Sequence, residues 1–128
     1  MGLFNSIFGS GNSGSESQLN WNHLTDLHQL ESIKTNSVSK VQLIFKHSTR
    51  CGISRMVLSQ FEKSYHFNDQ AFDLYYLDLL QHRNISNEIS ESFGVYHQSP
   101  QLLIVKNGVV VAHESHGSIN DLDLNQYL

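Results

Sequence analysis

Apolar residues change their spacing several times along the chain, and those changes mark out a series of elements. From Trp21 onward, Leu24, Leu27, Leu30 and Ile33 recur at helical intervals, with Thr25 and Asp26 suited to a helix start. This predicts a first helix that starts about Thr25 and Asp26. Val41-Gln42-Leu43-Ile44-Phe45 is a short β-prone run, flanked by Ser39-Lys40 and by His47-Ser48-Thr49, and predicts a core strand. Helical period returns after Cys51, with Ile53, Val57, Phe61 and Tyr65 four apart and Met56 and Leu58 beside them.

Ala71 to Leu79 reads as a second strand. Asn84 to Phe93 reads as a helix with Ile85, Ile89 and Phe93 on one face and Gly94 as its stop. Leu102 to Lys106 and Val109 to His113 flank Asn107-Gly108, a dipeptide that favours a two-residue antiparallel hairpin. A last helix is expected from Ser118 or Asn120 through Leu122, Leu124 and Leu128. A leading helix followed by βαβ, a helix and ββα predicts an α/β fold, a central mixed sheet flanked by helices on both faces.

Ahead of this pattern, Gly9 to Ser17 is rich in Gly and Ser and carries no apolar anchor, so residues 1–18 are expected to form a flexible tail and 19–128 the folded domain. Leu3, Phe4, Ile7 and Phe8 suggest a short apolar helix as the alternative for the tail's first part. Met1 to Ser6 matches the loose myristoylation pattern, a weak signal on its own.

At 128 residues, with 39% hydrophobic and 16% charged residues, the chain is long enough to bury a core without a disulfide or structural metal. A net charge of -4 with no basic cluster argues against a nucleic-acid partner. No apolar run reaches the ~20 residues of a bilayer span, and no secretory signal is evident, so a cytoplasmic protein without an integral membrane segment is expected. The eight histidines, His47 among them, show no convincing metal-ligand spacing and read most simply as surface or structural residues; His113 and His116 come nearest to a pair, and no bound metal is expected.

The chain's one cysteine carries its most informative chemistry. Cys51 stands between a strand and a helix, and a helix amino terminus favours thiolate through its unpaired N–H groups and its dipole. Arg50 and Lys46 either add positive potential there or are ordinary solvated surface. Ser54 occupies the place of the second thiol in a Cys-x-x-Cys centre; its hydroxyl either donates to the thiolate or is a common helix-start feature. Lacking a resolving thiol, any disulfide of Cys51 must be intermolecular, which predicts a monothiol cycle. The bland alternative is a buried, inert cysteine. Pro100, the only proline, precedes the hairpin; local sequence favours a trans Ser99–Pro100 bond, and a cis bond presenting backbone to a substrate is the sharper alternative.

From about Trp21 to the end, the chain resembles the thioredoxin superfamily and, within it, the monothiol bacilliredoxins. The carriers are Lys46-His47-Ser48-Thr49-Arg50-Cys51-Gly52-Ile53-Ser54, Arg83 to Ser86, Phe93-Gly94-Val95, His97, Ser99-Pro100-Gln101 and the Asn107-Gly108 hairpin. The resemblance implies that Cys51 takes bacillithiol, as co-substrate, from S-thiolated client proteins and is then reset by another thiol. It implies substrate-binding or supporting roles for Thr49, Arg50, Gly52, Ser54, Ser99 and Pro100, with Pro100 as a cis-proline facing Cys51. The best-known family pattern has Pro where Gly52 stands. Cys51-Gly52-Ile53-Ser54 also resembles the motif of monothiol glutaredoxins, which implies iron–sulfur cluster carriage by a dimer; against it, Val111 to Gly117 lacks that family's paired glycines. A noncatalytic thioredoxin-fold binding module is the third reading, because fold alone does not establish activity.

Overall fold

A computed structural model describes residues 19–128; the tail, its apolar segment and its Gly/Ser stretch lie outside the described residues. The elements are β1 (Trp21–His23), α1 (His28–Asn36), β2 (Val41–His47), α2 (Gly52–Ser64), β3 (Phe72–Asp78), α3 (Arg83–Phe93), β4 (Gln101–Lys106) and β5 (Val109–Ser115). Two 3-10 helices follow, His116–Asp121 and Leu124–Tyr127. The strands form one sheet in the order β1-β3-β2-β4-β5. β1, β3 and β2 are parallel, whereas β4 runs antiparallel to β2 and β5 antiparallel to β4. The α/β class with a central mixed sheet is as expected.

β2 is buried at every position, as the middle strand of a sheet covered on both faces must be. Its alternation sorts residues between two cores. Leu43 and Phe45 pack with Val57 and Phe61 of α2, while Ile44 packs with Ile33 of α1 and Ile85 and Ile89 of α3.

The first helix is found where expected, with α1 starting at His28 just after Thr25 and Asp26 and Leu27 left exposed; ahead of it Trp21–His23 forms a short edge strand that the spacing does not announce. Trp21 is held sideways by ring contacts to Phe45, Phe61 and Tyr76, and its indole N–H donates to Glu62 at 2.8 Å. In α2 the buried stripe is Ser54, Val57 and Phe61, so Ile53, about 100° round the helix from Ser54, faces solvent.

The carboxyl-terminal helix is replaced by the two 3-10 helices. Ile119 and Leu124 are buried, Leu128 is exposed, and His116 turns through a positive φ of 56°. Apolar spacings of three and then two along 119, 122 and 124 do not line one α-helical face, and Asp123 caps the second turn by accepting from Asn125 N–H. The hairpin is as expected: Asn107 and Gly108 both adopt positive φ, 55° and 82°. Its tip is tied to the end of α1, with Ser37 O accepting from Asn107 N–H at 2.9 Å and Ser37 Oγ from Gly108 N–H at 2.8 Å.

Candidate functional site

Where β2 ends, residues 48–51 make a tight turn: Cys51 N–H donates to Ser48 O at 3.1 Å. Cys51 is then the N-cap of α2, with φ -101° and ψ 122°, and its carbonyl accepts the first helical bond from Arg55 N–H at 3.1 Å. The Cys51 side chain makes no capping hydrogen bond among the described residues, so the first-turn N–H groups of α2 lie beside the thiol without one from it. There stands a free, half-buried thiol. This is the place, at the start of a helix, that sequence reasoning assigned to Cys51.

Thr49, Arg50 and Gly52 are exposed around the thiol. Arg55, which sequence reasoning did not single out, reaches back from the next turn, its Nη1 donating to Thr49 O at 3.4 Å. Ser54 is fully buried and points away from solvent. Its Oγ accepts from Ser48 N–H at 3.1 Å and lies 2.8 Å from His47 Nδ1. The hydroxyl expected to serve either the thiolate or the helix start is therefore committed to the turn and to His47.

His47 was read as a surface or structural residue. It is 3% exposed, packed against the rings of Phe45 and Tyr76. Burial lowers its pKa; Asp78 and Glu62 oppose that, and Arg55 adds to it. The signal that would have found it was in the strand: Val41, Leu43, Phe45 and His47 share the face that α2 covers.

Lys46 takes the opposite face. It is not solvated surface but wholly buried, and its Nζ has no hydrogen-bond partner among the described residues. Desolvation lowers its pKa from 10.5 to about 8. A cation enclosed behind the sheet does not draw an anionic substrate to the thiol, so that expectation for Lys46 is replaced by one of stored electrostatic cost.

The Ser99–Pro100 bond is cis, against the trans form favoured by local sequence and in line with the family resemblance. β4 begins at Gln101, opposite Lys46, so continuing the antiparallel register brings Pro100 to the level of His47 and the start of the thiol turn. Pro100 O accepts from His116 N–H at 3.0 Å, which ties this loop to the carboxyl-terminal segment. Ser99 Oγ and Gln101 Oε1 are buried without hydrogen-bond partners among the described residues. His97, on the same loop, meets Ser86 Oγ through Nδ1 at 3.2 Å; partial desolvation, then the charges of Lys46 and Arg83, lower its pKa. Among the described residues, no group of three or more His, Cys, Asp or Glu gathers where it could hold a metal ion. No helix there is long and apolar enough to cross a membrane.

A family model described as monothiol bacilliredoxin BrxC matches residues 22–124. A solved structure described provisionally as an oxidoreductase with a thioredoxin fold is 34% identical, over 81% of this chain and 89% of that one, with a TM-score of 0.69. Thioredoxin from Malassezia sympodialis is 19% identical over 87% of this chain and 93% of its own, with a TM-score of 0.66. Fasciola hepatica thioredoxin is 15% identical over 83% and 94%, with a TM-score of 0.63. These last two share the fold.

Proposed function

The chain belongs to the monothiol bacilliredoxin family, a thiol oxidoreductase on a thioredoxin fold, and on that premise we propose that it removes bacillithiol from protein mixed disulfides through Cys51. The observation that carries this reading is a lone, half-exposed thiol at the uncapped amino terminus of α2. In the first step the Cys51 thiolate attacks the bacillithiol sulfur of a client's mixed disulfide. The client's disulfide breaks, its sulfur leaves as thiolate and takes a proton from water, and a Cys51–bacillithiol disulfide forms. A second low-molecular-weight thiol then attacks that disulfide, leaves with the bacillithiol as a new disulfide, and returns Cys51 as thiolate. Without a second cysteine in the chain, this reset must come from outside.

Within this cycle the uncapped N–H groups of α2 stabilise negative charge on the sulfur as attacker and as leaving group. Thr49, Arg50 and Gly52, exposed beside it, are the surface that a bacillithiol moiety meets, with Arg50 complementing anionic groups. Ser99 and Pro100 form the facing edge, where backbone groups can pair with an extended client segment. Reducing surroundings such as the cytosol keep a lone thiol in its active form.

The test is intact mass spectrometry of the reduced protein offered bacillithiol disulfide and glutathione disulfide, with Cys51→Ser as control. Rapid single addition of bacillithiol below pH ~8.5, absent from the control, is the expected result. Preference for glutathione would move the reading to the glutaredoxin class. Addition of neither would leave a noncatalytic binding domain.

A further inference from the structure

Beside the loop that leads to Pro100 lies a cavity of about 530 Å³ that the thiol chemistry does not use. Asn87, Ser90 and Glu91 of α3 line one side, and Gly94, Tyr96 and His97 of the loop line the other. A cavity of this size takes a small molecule or a long side chain.

The α3 side offers acceptors. The helix ends with Gly94 and Val95 N–H both donating to Ser90 O, and no basic residue in its last turn offsets the negative end of its dipole. Glu91 is exposed and has no ion-pair partner among the described residues. Ser90 Oγ is buried, also without a hydrogen-bond partner among them. On the loop side Tyr96 is 92% exposed, and the face of an aromatic ring attracts a cation. His97 adds no charge near pH 7: desolvation, then Lys46 and Arg83, lower its pKa, and its Nδ1 meets Ser86 Oγ. The neighbouring cations lie elsewhere. Lys46 is enclosed behind the sheet, and Lys34 of α1 stands over the Phe93 ring and pairs with Glu31 at 3.9 Å. Arg83 is at the other end of α3, about 12 Å along the helix from Glu91.

We propose that this cavity receives a lysine or arginine side chain of the client protein, its charge held by Glu91 and the end of α3 and its cationic head laid on the Tyr96 ring. The inference rests on the reading that Cys51 is the working thiol and that clients lie along Ser99 and Pro100. Tyr96 is three residues ahead of Ser99, at most about 10 Å of chain, and an extended client covers that distance in about three residues. The basic residue is therefore a near neighbour in sequence of the client's mixed-disulfide cysteine.

The test uses the full chain and short peptides whose single cysteine is activated as a mixed disulfide with 5-thio-2-nitrobenzoate. The Cys51 thiolate attacks the peptide sulfur, a Cys51–peptide disulfide forms, and the coloured nitrobenzoate thiolate leaves and reports the rate. In one series a single Arg is moved along both flanks of the cysteine, and in the other Gln replaces it. At low salt the best-placed Arg should speed the reaction about tenfold over its Gln counterpart, the combined worth of one exposed ion pair and one cation–π contact. That ratio should fall as salt rises. Glu91→Gln and Tyr96→Ala, both at exposed positions, should each lower it about threefold. The chain's net charge of -4 attracts any cation at long range, so the dependence on Arg position and on Tyr96 carries the assignment.

Equal rates for the two series at every position, or a preference that survives in both variants, would overturn the proposal. So would the same dependence on Glu91 and Tyr96 in the mixed disulfide of cysteamine with the nitrobenzoate, which would assign the cation to the small thiol. Peptides that react without preferring Arg leave Cys51 as the working thiol. If no peptide reacts, that reading fails instead, and NMR of the amides of Ser90, Glu91 and Tyr96 decides on the cavity. They should shift on titration with the best-flanked Arg peptide carrying Ser for Cys and not with its Gln counterpart; no such difference rejects the site.

Discussion

Replacing Lys46 with Met should stabilise the protein, and should do so in a pH-dependent way. The ammonium is wholly enclosed with no hydrogen-bond partner among the described residues, and its pKa falls from 10.5 to about 8. At 1.36 kcal/mol per pH unit that fall is worth about 3 kcal/mol of native-state penalty. Below pH 8 both folded and unfolded chains carry the proton, so the whole penalty is present. Between 8 and 10.5 the unfolded chain binds more protons than the folded one, so wild-type stability rises with pH and the penalty fades. Tyr65 and Tyr76, raised to about 12 chiefly by burial, work in the opposite direction above pH 10, because there the unfolded chain loses its phenolic protons first. The clean window therefore runs from about pH 7.5 to 9.5. Methionine keeps an unbranched apolar stem and removes the charge. Urea denaturation in a Cys51→Ser background, which prevents intermolecular disulfides, should find Lys46→Met more stable by up to about 3 kcal/mol at pH 7.5. That advantage should shrink by about 2 kcal/mol by pH 9.5. Parallel stability curves for the two proteins across this window, or a Met variant less stable at every pH, would refute the reasoning.

The same substitution should raise the titration midpoint of His97, since Lys46 is the second cause of its lowered pKa; desolvation, the first, keeps it below 6.5. Proton NMR of His97 reads this directly, and an unmoved midpoint would mean the two groups do not feel each other. Gly52→Pro should be tolerated and should stabilise by about 0.4–1 kcal/mol through the unfolded chain. Gly52 is the first helical residue, where no N–H is required, Cys51 before it already has the φ of -101° and ψ of 122° that a following proline demands, and an added Cβ meets only Arg55 Nη2 at 3.9 Å. A fall in denaturation midpoint would contradict this. Ser37→Ala should cost about 1–3 kcal/mol, because it strips the buried partner from Gly108 N–H at the hairpin tip. Hydrogen exchange at Gly108 should accelerate in that variant, and unchanged protection there would show that the tie carries no load.

Much of the architecture was legible where the chain repeats a simple period. β2, α3 and the hairpin follow from apolar runs, a 3.6-residue stripe ending in Gly94, and Asn107-Gly108, each a local signal that tertiary packing had no reason to override. β1 was not legible, because a three-residue edge strand shows no alternation and Trp21 earns its place through rings from β2, α2 and β3. The carboxyl-terminal turns failed for a related reason: three leucines within helical reach do not make a helix when Ile119 and Leu124 are the residues the core accepts. Of the site, the placement of Cys51 at a helix start followed from periodicity, whereas the cis bond before Pro100 came only from family resemblance. Alternation along β2 puts His47 on the α2 face and Lys46 on the other, but what encloses Lys46 there comes from distant parts of the chain, which no local pattern states.

The identity of residue 54 bears on why one thiol suffices in this scaffold. Read from the motif alone, Ser54 is a missing second cysteine. In the fold it is a buried hydroxyl that receives Ser48 N–H and contacts His47, so it holds the turn that carries Cys51. A thiol in its place would accept the Ser48 N–H weakly and donate weakly to the imidazole, loosening the turn while adding a competitor for the mixed disulfide. β2 reinforces the arrangement by alternation: His47 faces the thiol helix while Lys46, its neighbour, is turned behind the sheet toward the loop of Pro100. Consecutive residues of one central strand thus lie on opposite faces of the sheet. The oxygen of Ser54 links the strand to the helix start, so the residue has a structural place of its own and is not merely the mark of an absent partner.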